Sequence, residues 1–486
     1  MPGSTTVSWL VVIDVLLRVL IAARVIMSAR PVPASLAWLI VLLLPVPFVP
    51  IGAYVLVGEN RLGVRRRARY QLLTREFSQR AQIFLRALSQ EWDSDTAPYR
   101  RLADVITQVG EIPTLRGNAI EFVAGSEKFI EGLIRDIDGA QERVHLLFYI
   151  WMESSAGEDV VRAVERAAAR GLACRVIVDA RGSKRFVRKG LPSRLRAGGA
   201  KVAIALPVNP FRALFTRLDL RNHRKIAVID GALAWSGSAN ITDSTFGYRP
   251  VRRVGPWIDA MARVRGPAAQ ALDAVFLRDW LVETTEEDRR EVENLLKMPP
   301  MIEEGCAIQI VPTGPDSGPA SMRDAIITAI FAAREELIIT TPYFVPDEAT
   351  KHALMSTAMR GVAVTLIVPR HLDQLIVGAA SRSHFEDLLR AGVRIHLHRH
   401  GLLHSKTMTI DSDVAMIGSH NLDERSFRLN YEVSMFIYDT DQASVLRTLQ
   451  VRYRDESDEI FADHWGRRPL VRRFAENSAR LLGPLL

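Results

Sequence analysis

Cysteine is nearly absent. Two residues, Cys174 and Cys306, stand in a chain of 486, so neither a disulfide framework nor a cysteine-rich zinc site can hold the fold together, and the redox compartment stays open. Lysine is scarce as well. Only eight of the 63 basic residues are lysines, so arginine serves wherever a generic positive charge will do, and a lysine marks a place that needs its own chemistry. Hydrophobic residues make up 48% of the chain, which excludes a disordered protein, and the length suggests roughly two to four domains. The net charge of +8 favours anionic partners, phospholipid headgroups or nucleic acid, without choosing between them.

Charge is missing from one long run. Leu36 to Val57 is 22 residues without a charged side chain, and Trp9 to Met27 is apolar apart from Asp14, Arg18 and Arg24. The two predict a membrane hairpin over residues 1–60, with Asp14 and Arg18 paired one helical turn apart. The first segment lacks the basic leader of a signal peptide. Five arginines between Arg61 and Arg69 place the remainder of the chain on the cytoplasmic side by the positive-inside rule. Residues 64–90 read as a basic amphipathic helix, either near the membrane or on an ordinary surface, within a juxtamembrane region spanning 61–112.

What is present is a duplication. VHLLFYIW (144–151), RGLACRVIVDARGS (170–183), LRAGGAKVAIAL (195–206) and NHRKIAVIDGALAWSGSAN (222–240) are followed by LIITTPYF (337–344), RGVAVTLIVPRHLD (360–373), LRAGVRIHLH (389–398) and LHSKTMTIDSDVAMIGSHN (403–421). Both series alternate strand and helix and end in a strand pair, which predicts an α/β fold of two tandem domains with mixed sheets flanked by helices. The expected bounds are 113–290 and 307–465, joined by a linker over 291–306, where the charged stretch 284–305 carries Pro299 and Pro300. A basic amphipathic tail occupies 466–486.

Each series contains His-x-Lys, four residues, then Asp: His223, Lys225, Asp230 and His404, Lys406, Asp411. Gly-Ser-x-Asn comes after both, bringing Ser238 and Asn240, then Ser419 and Asn421. Chance yields about 0.01 such triplets in a chain of this composition, so two in register are specific. Alternate residues of a strand share a face, which points each histidine and its lysine into one cleft. Asp230-Gly231 signals a hairpin that returns Ser238 and Asn240 beside them. Two imidazoles, two ammonium groups and amide and hydroxyl donors suit a tetrahedral anion such as a phosphodiester. The two aspartates are expected to fix the turns rather than move protons.

His396, His398 and His400 have no counterpart in the first series, where GGAKVAIALPVNP stands. With no carboxylate or cysteine nearby to complete a zinc set, they read as polar residues near the cleft, and no metal or cofactor is expected. The first series instead carries an insertion: Arg196 to His223 spans 27 positions against 14 from Arg390 to His404. Within it Phe211, Leu214, Phe215 and Leu218 form a helical stripe that would face either the bilayer or the core.

The two HKD motifs, with GSHNLDERSFRLNYE after the second, resemble the phospholipase D superfamily, and the preceding hairpin is similar to its bacterial cardiolipin synthase branch. The resemblance covers nearly the whole chain. It implies transfer of a phosphatidyl group between two phosphatidylglycerols with release of glycerol, without a metal, at the inner membrane. It implies that His223 attacks phosphorus and His404 handles the proton, backed by Glu432 and Asp259 respectively from the opposite half. Ile258 and Met261 depart from that branch, which often has arginine and histidine there. A hydrolase or nuclease and a non-catalytic lipid-binding protein are the competing readings. A lipid anchor argues against a freely diffusing nuclease, and no nucleic-acid partner is expected.

Overall fold

The apolar stretches VHLLF and LII lack an alternating polar face, the pattern of strands covered on both sides. The computed structural model describes residues 3–28, 32–58, 63, 66–74, 76, 88–89, 92, 97–207, 217, 219–245, 254–284, 291–292, 295, 301–316, 321–481 and 483. Two compact units emerge, Met1–Arg67 with Val208–Leu220, and Ala68–Pro207 with Arg221–Leu486.

The larger unit holds both repeats. The first contributes β1 (Leu115–Ala124), β2 (Arg143–Phe148), β3 (Ala173–Asp179), β4 (Lys201–Ala205), β5 (Arg221–Asn222), β6 (Lys225–Ile229), β7 (Leu233–Gly237), β8 (Trp257–Ile258) and β9 (Ala260–Arg265). The second contributes β10 (Cys306–Thr313), β11 (Glu336–Thr340), β12 (Phe344–Val345), β13 (Ala363–Pro369), β14 (Arg394–His398), β15 (Leu402–Leu403), β16 (Thr407–Ile410), β17 (Val414–Gly418), β18 (Leu422–Asp423), β19 (Asn430–Tyr438) and β20 (Ser457–Ile460).

The order β4-β3-β2-β6-β7-β9-β1 returns as β14-β13-β11-β16-β17-β19-β10. In each half three parallel strands are joined through helices, and antiparallel hairpins come after them. β1 and β10 pair antiparallel, so the halves share one sixteen-stranded mixed sheet rather than holding separate sheets. That pairing removes the edge each half would otherwise expose. The helix Ser155–Ala169 shows how the covering layer forms. Ser154 caps it by accepting from the Gly157 N–H, and Val160, Val161, Val164 and Ala167 bury its inner face.

The two hairpins turn alike. Asp230 and Gly231 have φ of 54° and 69°, and Asp411 and Ser412 have 52° and 60°, as primed hairpin turns require at both central positions. A Cβ on Gly231 would lie 1.9 Å from an Arg143 nitrogen, so a larger residue there would have to displace that guanidinium. The Asp230 carboxylate accepts from the backbone N–H groups of Gln141, Glu142 and Arg143, and Asp411 accepts from those of Arg334, Glu335 and Glu336. Each aspartate thereby ties its hairpin to the start of the first parallel strand of its half.

In the smaller unit, Gly3–Met27 is one helix, but the charge-free run does not form a second. Helix Val32–Leu42 stops ahead of Pro45 and Pro47, which supply no N–H, and the chain resumes as Val49–Ala53 and a wide turn over Tyr54–Gly58. No helix among the described residues is long and apolar enough to cross a membrane. Asp14 and Arg18 pair at 2.6 Å as expected, and they do more. Arg18 donates to the carbonyls of Leu42, Leu44 and Val46, while Asp14 accepts from the Phe48 N–H, so one ion pair meets backbone groups beyond the end of that helix. Of the expected helix over 64–90, residues 66–74 are helical, and most of the rest lies outside the described residues. The Phe211, Leu214, Phe215 and Leu218 stripe also lies outside them.

Asp230→Ala and Asp411→Ala each remove the acceptor for three backbone donors. Each is expected to lower the unfolding free energy in urea by about 1–3 kcal/mol, with the asparagine variants less affected. A midpoint unchanged by alanine would remove the hairpin-tying role.

Candidate active site

In layered α/β folds ligands gather at the carboxyl ends of the parallel strands. Here Tyr149 comes directly after β2, Asp179 ends β3, and the segments bearing His223 and His404 meet at that end of the sheet. The histidines are not inside strands, as alternation suggested. His223 lies between β5 and β6, and His404 between β15 and β16. Each is held by the other half: β5 pairs with β19, β15 pairs with β8, the His223 N–H donates to the Tyr431 carbonyl, and the His404 N–H donates to the Ile258 carbonyl, both at 2.8 Å.

The side chains repeat this exchange. His223 Nδ1 lies 2.9 Å from Glu432 Oε2, and His404 Nδ1 lies 2.7 Å from Asp259 Oδ1. With each carboxylate taking an Nδ1–H, the Nε2 lone pair is left for chemistry. Glu432 also accepts from the Ser419 hydroxyl and the Asn430 amide, and Asp259 from the hydroxyls of Ser238 and Ser126. Lys225 Nζ and Lys406 Nζ donate to the carbonyls of their own histidines at 2.6 Å.

Burial governs the charges. It drives Lys225 down to about 8 against the pull of Glu432 and Asp259, and drives Lys406 to about 7 with the Lys225 cation adding to the effect. His223 falls to about 4 and His404 to about 3, again through burial first, so both imidazoles are neutral at pH 7. Desolvation works to raise Asp259 and Glu432, yet their histidine partners, with the lysines adding, hold both near 2, fully ionised. Each lysine acts on the imidazole of the opposite half, so the four groups share one field.

The remaining candidate residues divide. The Ser238 and Ser419 hydroxyls donate to the two carboxylates. The Asn240 side-chain oxygen accepts from the Ile150 N–H, and Asn421 is buried beside β18. Asp230 and Asp411 sit at the far ends of their hairpin strands, about 17 Å of extended chain beyond the lysines. His396 and His398 are both buried. They lie on β14, three strands or about 14 Å across from β16, because the repeat places β13 and β11 between, and His398 meets Glu456 at 3.2 Å. Among the described residues no group of three or more His, Cys, Asp or Glu is arranged to hold a metal.

Four participants were not singled out as site residues by sequence. The Tyr149 ring lies 4.8 Å from that of His223 and beneath Lys225, and Trp257 lies 4.4 Å from His404. Buried Arg224 pairs with Asp279 and donates to the carbonyls of Glu432 and Thr313, pinning the first motif to the second half. His420 bridges Thr313 and Ser434. One signal was available: Trp257 stands two residues before a supporting carboxylate.

Two repeated α/β halves closing on a pair of carboxylate-held imidazoles agree with the phospholipase D resemblance. A family profile described as cardiolipin synthase, PLD-like domain, matches residues 133–280 and 326–450, over half of the sequence. The chain belongs to that family. Cardiolipin synthase A of Serratia proteamaculans (strain 568) is 36% identical over 486 residues, covering 99% of both chains, and that of Pectobacterium carotovorum subsp. carotovorum (strain PC1) matches equally. The crystal structure of phosphatidylserine synthase from Haemophilus influenzae Rd KW20 shares the fold, with a TM-score of 0.60 at 18% identity, over 79% of this chain and 100% of that one.

A lysine depressed from 10.5 to about 7 is protonated in the unfolded chain over a range where the folded chain releases the proton. Its contribution therefore costs stability increasingly as pH falls from 10.5 toward 7, and stability recovers as pH rises. Lys406→Met should accordingly melt higher than the parent at pH 7 by roughly 2 °C or more, the gap narrowing toward pH 10. A lower melting temperature, or a gap independent of pH, would contradict this.

Proposed function

We infer that the chain is a phosphatidyltransferase that joins two phosphatidylglycerol molecules into cardiolipin and releases glycerol. The observation that carries this reading is one site, within one chain, of two imidazoles each held at Nδ1 by a carboxylate of the opposite half amid two lysines. The full-length similarity to curated cardiolipin synthases supports the substrate.

His223 is the proposed nucleophile. Neutral and 12% exposed at its side chain, against 4% for His404, it offers Nε2 to phosphorus. A nitrogen–phosphorus bond forms as the bond from phosphorus to the glycerol oxygen breaks, and that oxygen takes a proton from His404. The bound phosphodiester anion raises the pKa of His404 toward the charged form, which Asp259 stabilises. His404 then takes the proton from a hydroxyl of the second phosphatidylglycerol, whose oxygen displaces His223. Lys225 and Lys406 balance charge on the non-bridging oxygens. Glu432 and Asp259 orient the imidazoles, Ser238 and Ser419 hold the carboxylates, and Asn240 and Asn421 line the site. Asp230 and Asp411 act only through the hairpins.

The proposed organisation is an N-terminal membrane unit over 1–60, a basic connector over 61–112, catalytic halves over 113–290 and 307–465 joined by 291–306, and a tail over 466–486. Helix Gly3–Met27 leaves Trp9, Leu16, Leu20 and Ile26 among its exposed apolar side chains, a surface suited to lipid. The arginines after it favour a cytoplasmic catalytic unit at the inner membrane, with anionic phospholipid as partner and no nucleic acid.

Purified protein with phosphatidylglycerol in mixed micelles should yield cardiolipin and glycerol by mass spectrometry. Phosphatidic acid as sole product would make it a hydrolase, and no turnover a binding protein. His404→Ala should trap a phosphatidyl adduct on His223, whereas an adduct found on His404 in the His223→Ala chain would reverse the roles. Mixing His223→Ala with His404→Ala chains should restore no activity, since one chain holds both motifs, and substantial complementation would place the site between chains.

A further inference from the structure

A helix that closes a core turns its apolar residues inward. The C-terminal helix Leu470–Arg480 does the reverse. Its inner side carries Glu476, 4% exposed, paired with Arg468 at 3.3 Å and Arg472 at 3.1 Å, together with the small Ala479. Outward stand Leu470, Val471 and Phe474, at 78%, 82% and 75% exposure, with Leu481 just beyond at 76%. Residues 470, 474 and 481 recur at helical spacing on one face. Arg467, Arg472 and Arg480 are exposed around them, while Arg473 reaches Glu386 at 3.2 Å.

The helix is docked and not loose. Ala479 packs with Val377 and Ala380 of helix Leu375–Ser383 and with Val345 of β12. That second helix leaves its own Leu375 and Ile376 exposed. Beneath it β12 pairs with β18, which begins directly after Asn421 of the site. The apolar face is thus tied through two short strands to the loop beside His420 and Glu432.

We propose that this helix is a lipid-docking element of the catalytic unit, and that its partner is a bilayer surface bearing anionic headgroups. Leucine, valine and phenylalanine enter the acyl boundary while the surrounding arginines meet phosphates. A second copy of the chain fits less well, since a twofold contact would set the cationic rim against itself. The proposal rests on the reading that the substrate is a membrane phospholipid.

The test uses the full chain in lipid nanodiscs. Cys174 and Cys306 are 3% and 7% exposed, so a fluorophore on Phe474→Cys labels one position, with Glu131→Cys as the control. Discs of phosphatidylcholine and phosphatidylglycerol containing acyl-brominated lipid should quench the label at 474 and not at 131. Leu470→Ser with Val471→Ser and Phe474→Ser should lower cardiolipin formation from disc-borne phosphatidylglycerol about tenfold, leaving turnover of a soluble short-chain analogue and the melting temperature unchanged. No quenching at 474, or equal loss on both substrates, overturns the proposal, as does a doubled chain mass per disc that the triple variant abolishes. Should the parent turn over neither form of phosphatidylglycerol, the activity reading falls, while the quenching result still decides whether the helix meets lipid.

Discussion

Two hydrogen bonds that cross between the halves hold the site together: Glu432 to His223 and Asp259 to His404. A carboxylate on the same half would need no second copy. Because each imidazole takes its tautomer from the other half, neither half alone presents a defined Nε2. The short strands arise from the same demand. β5 and β15 are two residues long, and each exists only as a pairing with the segment that brings the opposite carboxylate. The β1–β10 pairing places the two halves in one sheet, which fixes that exchange in space.

The exchange also makes the electrostatics tolerable. Two lysines buried within reach of each other would be costly in an apolar interior, and their depressed protonation registers that cost. Glu432 and Asp259 offset it while staying ionised, since each accepts from a histidine and from hydroxyl or amide donors. Two lysines and two ionised carboxylates thereby share one buried field.

Much of this was legible in the residues. The duplicated His-x-Lys and Gly-Ser-x-Asn words located both halves, and Asp230-Gly231 announced the hairpin, because a left-handed turn leaves a local mark. What escaped was non-local. That Ser238 reaches Asp259 and Ser419 reaches Glu432 depends on β7 beside β9 and β17 beside β19, pairings with no sequence signature of their own. The charge-free run misled for a different reason. Absence of charge says nothing of Pro45 and Pro47, past which the helix does not continue, and the Arg18 guanidinium that meets the carbonyls there lies 24 to 28 residues away. The clustered histidines fall on different elements, His396 and His398 on β14 and His404 after β15, a division that proximity in sequence does not show.

The departures from symmetry give the proposed division of labour its physical basis. Position 224 is a buried arginine where the second half has Ser405, so the first motif is pinned to β19 and β10 by a guanidinium and the second is not. Tyr149 lies against His223 and under Lys225, while its counterpart Tyr343 turns away to donate to Asp373, and His404 is instead covered by Trp257. One imidazole therefore packs against a phenol ring and is the more exposed of the two, and the other packs against an indole. A nucleophile needs access to phosphorus and a rigid seat; a proton carrier needs a short path and a dry setting that keeps its proton from exchanging with water. A duplicated fold supplied two equivalent sites for a histidine, and the substitutions around them made the two unequal.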